Sequence, residues 1–156
     1  MKDYIRWPLI VLVLIVLALL LHLAKALDVH EVIEVYDGDT IKVDDGTIIR
    51  LIGVDAPEVD SPYGKAEPFG SESKRYLKKL LYGRKVKMSV GPQPFDRYNR
   101  TLAYVYLTDG TLINGRIIKD GWARAYTRFD FKHKDLFVTY EKEARAKGLG
   151  IWQDRK

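Results

Sequence analysis

The chain has 156 residues, no cysteine, and 26 Lys and Arg against 21 Asp and Glu. That length suits one ordinary domain, and the lack of cysteine excludes disulfide scaffolds, thiolate-held metals and thiol catalysis. A net charge of +5 permits a polyanionic partner without demanding one.

The first element is hydrophobic. From Pro8 to Leu21 every residue is apolar, and the run continues to Leu27 before Asp28 breaks it. Counted from Trp7 to Leu27, it reaches the roughly 20 residues that a helix needs to cross a bilayer. Trp7 would sit at one interface and Lys25 would snorkel at the other. The same residues also read as a signal peptide, with Lys2 and Arg6 ahead of an apolar stretch and Ala24-Lys25-Ala26 as a cleavage site. The preferred reading divides the chain into an anchor or signal over residues 1–27 and one domain over 28–156. Lys2 and Arg6 hold the start inside, so the domain lies outside the cell membrane as a single-pass protein. Cleavage near Ala26 would instead secrete it. A membrane partner is therefore expected through residues 7–27 unless they are removed, and no obligate protein partner is inferred.

The next residues read as strands. Glu31–Tyr36, Thr40–Val43 and Thr47–Ile52 are β-branched runs separated by Asp37-Gly38-Asp39 and Asp44-Asp45-Gly46, turn formers that predict an antiparallel meander. Gly53–Phe69 holds Pro57, Pro62, Pro68 and Gly64 and reads as a long loop. Ser71–Leu81 carries Tyr76, Leu77, Leu80 and Leu81 on one helical stripe, with Ser71 as the expected N-cap and Gly83 as the stop. Lys85–Val90 and Leu102–Leu107 read as two further strands, and Ile113–Asp120 and Asp135–Ala146 as two further helices. Five strands with about three helices, behind one hydrophobic helix, predict an α+β fold built on a five-stranded Greek-key barrel of the OB type. Such barrels commonly bind oligonucleotides.

The chemistry rests on carboxylates and arginines. There is no Walker A loop, no dinucleotide fingerprint and no His-Glu-x-x-His. His22, His30 and His133 are scattered, which argues against a histidine metal cluster or a Ser-His-Asp triad. Acids and arginines gather instead in Asp37-Gly38-Asp39-Thr40, in Arg50 through Glu58, and in Asp96-Arg97-Tyr98-Asn99-Arg100. If the strand reading holds, Arg50, Asp55 and Glu58 converge at the barrel mouth. The set suits phosphodiester hydrolysis. Its substrate is an anion that needs neutralising charge, donors for its oxygens and a base for water. Arginine offers paired planar donors, aspartate hard oxygen ligands, and glutamate a proton acceptor.

These segments, followed by Lys147-Gly148-Leu149-Gly150-Ile151-Trp152, resemble the staphylococcal nuclease (thermonuclease) family in order and spacing from about Glu31 to Trp152. The resemblance implies an OB barrel with helices and a Ca²⁺-dependent endonuclease acting on DNA and RNA. It implies Asp39 and Asp55 as metal ligands, together with the main-chain carbonyl of Ala56. Glu58 is implied as the general base, and Arg50 and Arg100 as the groups that bind the scissile phosphate. Arg97, Tyr98 and Tyr126 fall near positions that flank the substrate, a looser match. Two departures stand out. Ala56 replaces a threonine, which matters little if only its carbonyl binds metal. Asn99 stands where glycine is familiar, and asparagine best tolerates the left-handed backbone expected there.

Alone, the Asp-Gly turn, the Asp55–Glu58 turn and each arginine have ordinary structural explanations; together, in order, they favour the site. The basic stretch Lys74, Arg75, Lys78, Lys79, Arg84, Lys85 and Lys87 reads first as a solvated face and second as a phosphate-steering surface. The rival function is a non-catalytic OB module that binds nucleic acid. Retention of Asp39, Arg50, Asp55, Glu58 and Arg100 discriminates against it.

Overall fold

A computed structural model describes residues 6–26, 29–59 and 65–153. The expected domain start at Asp28 and the middle of the Gly53–Phe69 loop lie outside the described residues.

Helix α1 spans Arg6–Ala26. Its described side chains, residues 7–20, are all exposed, so none of that apolar surface is buried against the domain. Those described side chains fall short of the expected span over 7–27. Among the described residues no helix is long and apolar enough to cross a membrane.

Among the described residues seven strands and three more helices follow: β1 Val29–Val35, β2 Thr40–Val43, β3 Ile48–Leu51, β4 Val54–Asp55, α2 Gly70–Leu81, β5 Lys85–Phe95, β6 Thr101–Leu107, α3 Ile113–Lys119, β7 Arg124–Ala125 and α4 Lys134–Ala146. A single 3₁₀ turn, Gly150–Trp152, follows α4. Five of the strands close a barrel in the order β1-β2-β3-β6-β5. The meander β1–β2–β3 is antiparallel as expected. Closure depends on a parallel pairing of β3 with β6, in which Ile49 faces Thr101, Arg50 faces Leu102 and Leu51 faces Ala103.

Strand alternation sends Val32, Val35, Ile41, Val43, Ile49, Leu51, Val86, Ala103 and Val105 into the barrel core. Leu77 and Leu81 of α2, Ile113, Ile117 and Ile118 of α3, and Phe137 of α4 extend it. Each Val, Leu, Ile or Phe side chain among them contributes about 1.5–3 kcal/mol by leaving water. The one buried amide is fully engaged. Asn114 Oδ1 accepts the Val105 N–H at 2.9 Å, and its Nδ2 donates to the carbonyls of Ile52 at 2.9 Å and Ala103 at 3.1 Å. It ties α3 to the end of β3 and to β6, beneath the candidate site.

Three details differ from the sequence reading. The N-cap of α2 is Phe69 in the left-handed region, φ 70°, and Ser71 lies inside the helix. The expected stop holds, since Gly83 adopts φ 70° and donates its N–H to the Val32 carbonyl. Strand β5 runs on to Phe95 through Pro92 and Pro94. It can do so because β1 pairs only with Lys85, Val86 and Lys87, which leaves the rest of that edge free of partners that would need proline N–H groups. The third is a separate two-stranded ribbon, β4 with β7, inside what reads as loop.

Candidate active site

The site is assembled where the β1–β2 turn, the end of β3, the ribbon strand β4 and the β5–β6 hairpin meet. The turn is held by Asp37, whose Oδ1 accepts the Asp39 N–H at 2.9 Å. Gly38 is required by packing, because a Cβ there would collide with Ser73 of α2 and with Ala56. The turn thus presents Asp39, only 4% exposed, at the top of the barrel.

Every oxygen of Asp39 is engaged. Oδ1 accepts from Thr40 Oγ1 at 2.9 Å; Oδ2 takes the Ala56 N–H at 3.1 Å and Arg50 Nη2 at 2.9 Å. Arg50 reaches further. Its Nη1 donates to the carbonyls of Leu51 at 2.9 Å and Val54 at 2.7 Å. The guanidinium therefore closes the tight β3–β4 turn around itself. Of its five N–H donors, these contacts use three, leaving two without a protein acceptor among the described residues.

Arg100 arrives from the β5–β6 hairpin. Asp96 organises that hairpin: Oδ1 accepts the N–H groups of Tyr98 at 2.9 Å and Arg100 at 3.0 Å, and Oδ2 accepts Arg100 Nε at 2.7 Å. Asn99 sits at φ 62°, the left-handed backbone expected of it. So oriented, Arg100 Nη1 donates to Thr40 Oγ1 at 3.3 Å. Thr40 thereby links the second arginine to the buried aspartate.

Asp55 and Glu58 lie within the electrostatic reach of this pair. Asp55 is partly exposed on β4, across from Arg124 of β7. The ribbon is pinned from outside, since Glu141 of α4 takes the Ala125 N–H at 2.6 Å. Glu58 is exposed beyond it. Burial pushes Asp39 up to about 7, against the pull of Arg50 and with added repulsion from Asp37. Burial also raises Asp55 and Glu58, and in both the Asp39 charge is the next cause. Carboxylates that repel one another in this way are the arrangement that a cation relieves.

A hard divalent cation fits that chemistry. Asp39, Asp55 and the Ala56 carbonyl would supply oxygen ligands, with water completing the shell. Among the described residues, the only group of three that already brings its ligand atoms within 4.8 Å of one another is His30, Asp44 and Asp45. It lies at the other end of β2.

The expected residues therefore divide. Asp39, Arg50, Ala56 and Arg100 form one connected network, with Asp55 and Glu58 beside it. Arg97 and Tyr98 occupy the hairpin tip, where Arg97 Nη2 donates to the Tyr98 hydroxyl at 2.6 Å and Arg100 lies 5.4 Å from the Tyr98 ring centroid. Tyr126 follows β7; its N–H donates to the Gly53 carbonyl at 3.0 Å and its ring packs near Phe129, so the described contacts tie it to the β3–β4 turn and not to the arginines. Three contributors had no role in the sequence reading: Thr40 as the link, Asp96 as the brace, and Glu67, whose charge raises both Asp55 and Glu58. The Asp96–Arg100 spacing of four was the one available signal.

Comparison with known proteins gives consistent matches. The staphylococcal nuclease homologue family matches residues 48–154. The chain is 42% identical over 124 residues to the thermonuclease of Staphylococcus intermedius, covering 76% of this chain and 73% of that protein. It is 39% identical over 129 residues to the thermonuclease of Staphylococcus hyicus, covering 80% and 76%. It is 36% identical over 135 residues to the micrococcal nuclease of Shigella flexneri, covering 80% and 73%.

Proposed function

Because this chain belongs to the staphylococcal nuclease family and is a nuclease, we propose that it is a Ca²⁺-dependent endonuclease. It hydrolyses phosphodiester bonds of DNA and RNA, with preference for single-stranded or unpaired regions. The observation that carries this reading is the connected network Arg50–Asp39–Thr40–Arg100, in which two arginines with donors to spare converge on a repelling carboxylate cluster.

The roles follow from what each group can do. Asp39, Asp55 and the Ala56 carbonyl hold the cation, whose charge would offset that of the phosphodiester and let an anionic nucleophile approach. Arg50 turns its two uncommitted donors toward phosphate oxygens, fixed in aim because its other three are bound. Arg100, braced by Asp96, offers donors from the opposite strand connection. Donors aimed in advance at developing charge need no rearrangement in the transition state. Glu58, exposed to water and raised above its ordinary value, is suited to take a proton from the attacking water. Arg97 and Tyr98 flank the strand at the hairpin tip.

The apolar run of the sequence over residues 7–27 is the ground on which we place the nuclease domain outside the cell, tethered to a membrane; release after cleavage near Ala26 is the other export route.

The test uses the full chain with single-stranded DNA and RNA, in Ca²⁺ or in excess chelator, beside Glu58→Gln. Cleavage should require the metal, and the variant should lose several powers of ten in kcat with little change in strand binding. Binding without cutting under any divalent metal would reduce the protein to an OB-fold binding module.

A further inference from the structure

One residue holds both main-chain polar groups of Glu58. The Glu67 N–H donates to the Glu58 carbonyl at 3.0 Å, and the Glu58 N–H donates to Glu67 Oε2 at 3.4 Å. Glu58 lies in no strand or helix, so neither a sheet ladder nor a helical turn supplies those bonds. Two bonds of opposite sense between one pair of residues fix the direction of the Glu58 main chain as well as its place. Among the described residues, the Glu58 carboxylate accepts no hydrogen bond and joins no ion pair. The aim of the side chain is therefore set through its backbone.

This bracket is anchored in turn to a packed helix. The Glu67 carbonyl accepts the Gly70 N–H at 3.1 Å, where α2 begins, and Gly70 presses on the Glu58 carbonyl so closely that a Cβ would collide with it. The Phe69 carbonyl accepts the Ser73 N–H at 2.9 Å. Ser73 is wholly buried, as are Leu77 and Leu81 of the same helix, and its hydroxyl donates to the Trp122 carbonyl at 2.7 Å. On the other side of Glu58, the Ala56 N–H is held by Asp39 Oδ2 at 3.1 Å. Glu58 is thus suspended between the Asp39 turn and the start of α2, and Glu67 makes the second of these attachments.

We propose that Glu67 is a positioning residue for phosphodiester cleavage: by gripping the main chain of Glu58 it holds that carboxylate at the attacking water, while touching neither substrate nor metal itself. A misplacement of about 1 Å at a reacting group costs about 10²-fold in rate, and Glu67 is what prevents it here. The proposal rests on the nuclease reading and adds to it the group that sets the base in place.

The experiment measures kcat and KM of the full chain on a single-stranded thymidine 20-mer in saturating Ca²⁺, for wild type, Glu67→Ala, Glu67→Gln, Glu58→Gln and the Glu58→Gln, Glu67→Ala double variant. Glu67→Ala should lower kcat by about 10²-fold and leave KM within about twofold, the pattern of a group that acts only in the transition state. Glutamine keeps a side-chain oxygen that can accept the Glu58 N–H, so Glu67→Gln should recover at least tenfold of that loss. With the base already removed there is nothing left to position, and Glu67→Ala should change the kcat of Glu58→Gln by less than about threefold. Glu67 is exposed, so thermal midpoints should stay within a few degrees of wild type, and a merely structural role would carry its loss equally into both backgrounds. An equal loss in both backgrounds would overturn the proposal. So would a Glu67→Ala kcat within threefold of wild type, a raised KM with kcat kept, or a Glu67→Gln no better than Glu67→Ala, which would assign the effect to charge and not to the bond. Failure of the nuclease reading looks different: wild type would cut nothing, or Glu58→Gln would cut as fast as wild type, and the role of Glu67 would fall with it.

Discussion

Replacing Arg50 with lysine keeps the charge and removes the fork. In the wild-type chain one guanidinium holds Asp39 at 2.9 Å and the carbonyls of Leu51 at 2.9 Å and Val54 at 2.7 Å. The side chain is only 17% exposed, so water does not readily replace what is lost. An ammonium has three donors on one atom. Spending all of them on these acceptors leaves none for phosphate, and sparing one leaves a backbone carbonyl of the β3–β4 turn unpaired. Each carbonyl so abandoned costs about 1–3 kcal/mol, and loss of one preorganised donor costs about 10²–10³ in rate. Arg50→Lys should therefore melt several degrees below wild type and cleave at least a hundredfold more slowly. The assay is initial-rate cleavage of a single-stranded substrate at saturating metal, beside a thermal melt by circular dichroism. A variant within threefold of the wild-type rate would refute the claim that the fork, and not the charge, is what the site uses.

Asp96 supplies a pH-dependent prediction. Burial acts to raise it, but the backbone N–H of Arg100, the Arg100 side chain and the Tyr98 N–H prevail and hold it below 3.8. A carboxylate lowered on folding stabilises the fold above its unfolded value, and that stability is lost as pH falls through the folded value. Asp96→Asn should melt below wild type at pH 6, with the gap closing below pH 3.8; a gap that is constant with pH would contradict the ion pair. At Asn99, φ 62°, Asn99→Ala should destabilise by about 1 kcal/mol and Asn99→Gly should not, as read by urea midpoints. Equal midpoints for the two variants would mean that the hairpin tip tolerates another backbone.

Much of this was legible because the elements are periodic. The β-branched runs at Thr40–Val43 and Leu102–Leu107 and the Tyr76–Leu81 stripe signal their own structure, and Asp-Gly turns punctuate them. The ribbon β4–β7 was not legible, since two residues in each strand carry no period; its pairing depends on Val54 and Ala125 meeting across the fold. The cap at Phe69 was missed because capping preference favours serine, whereas close packing of Gly70 on Glu58 fixes where the helix begins. Site residues were legible as chemistry and order, but the bonds between them were not. Nothing in the sequence says that Thr40 bridges Asp39 and Arg100, because that bridge spans 60 positions. Nor does it announce Glu67, an acid in a proline-rich loop whose field reaches the site only after folding.

The parallel seam between β3 and β6 has a further meaning. Arg50 lies on one side of it, opposite Leu102, and Arg100 immediately precedes the other. A slip of one residue along such a seam turns every side chain to the opposite face. Arg50 would then be exchanged in orientation with Ile49 or Leu51, both wholly buried, and would meet the barrel interior. The two arginines thus share their alignment with the barrel's own closure. The seam acts as a vernier: a chain that has closed in the wrong register is also a chain with no phosphate grip, and catalysis reports the register of the fold.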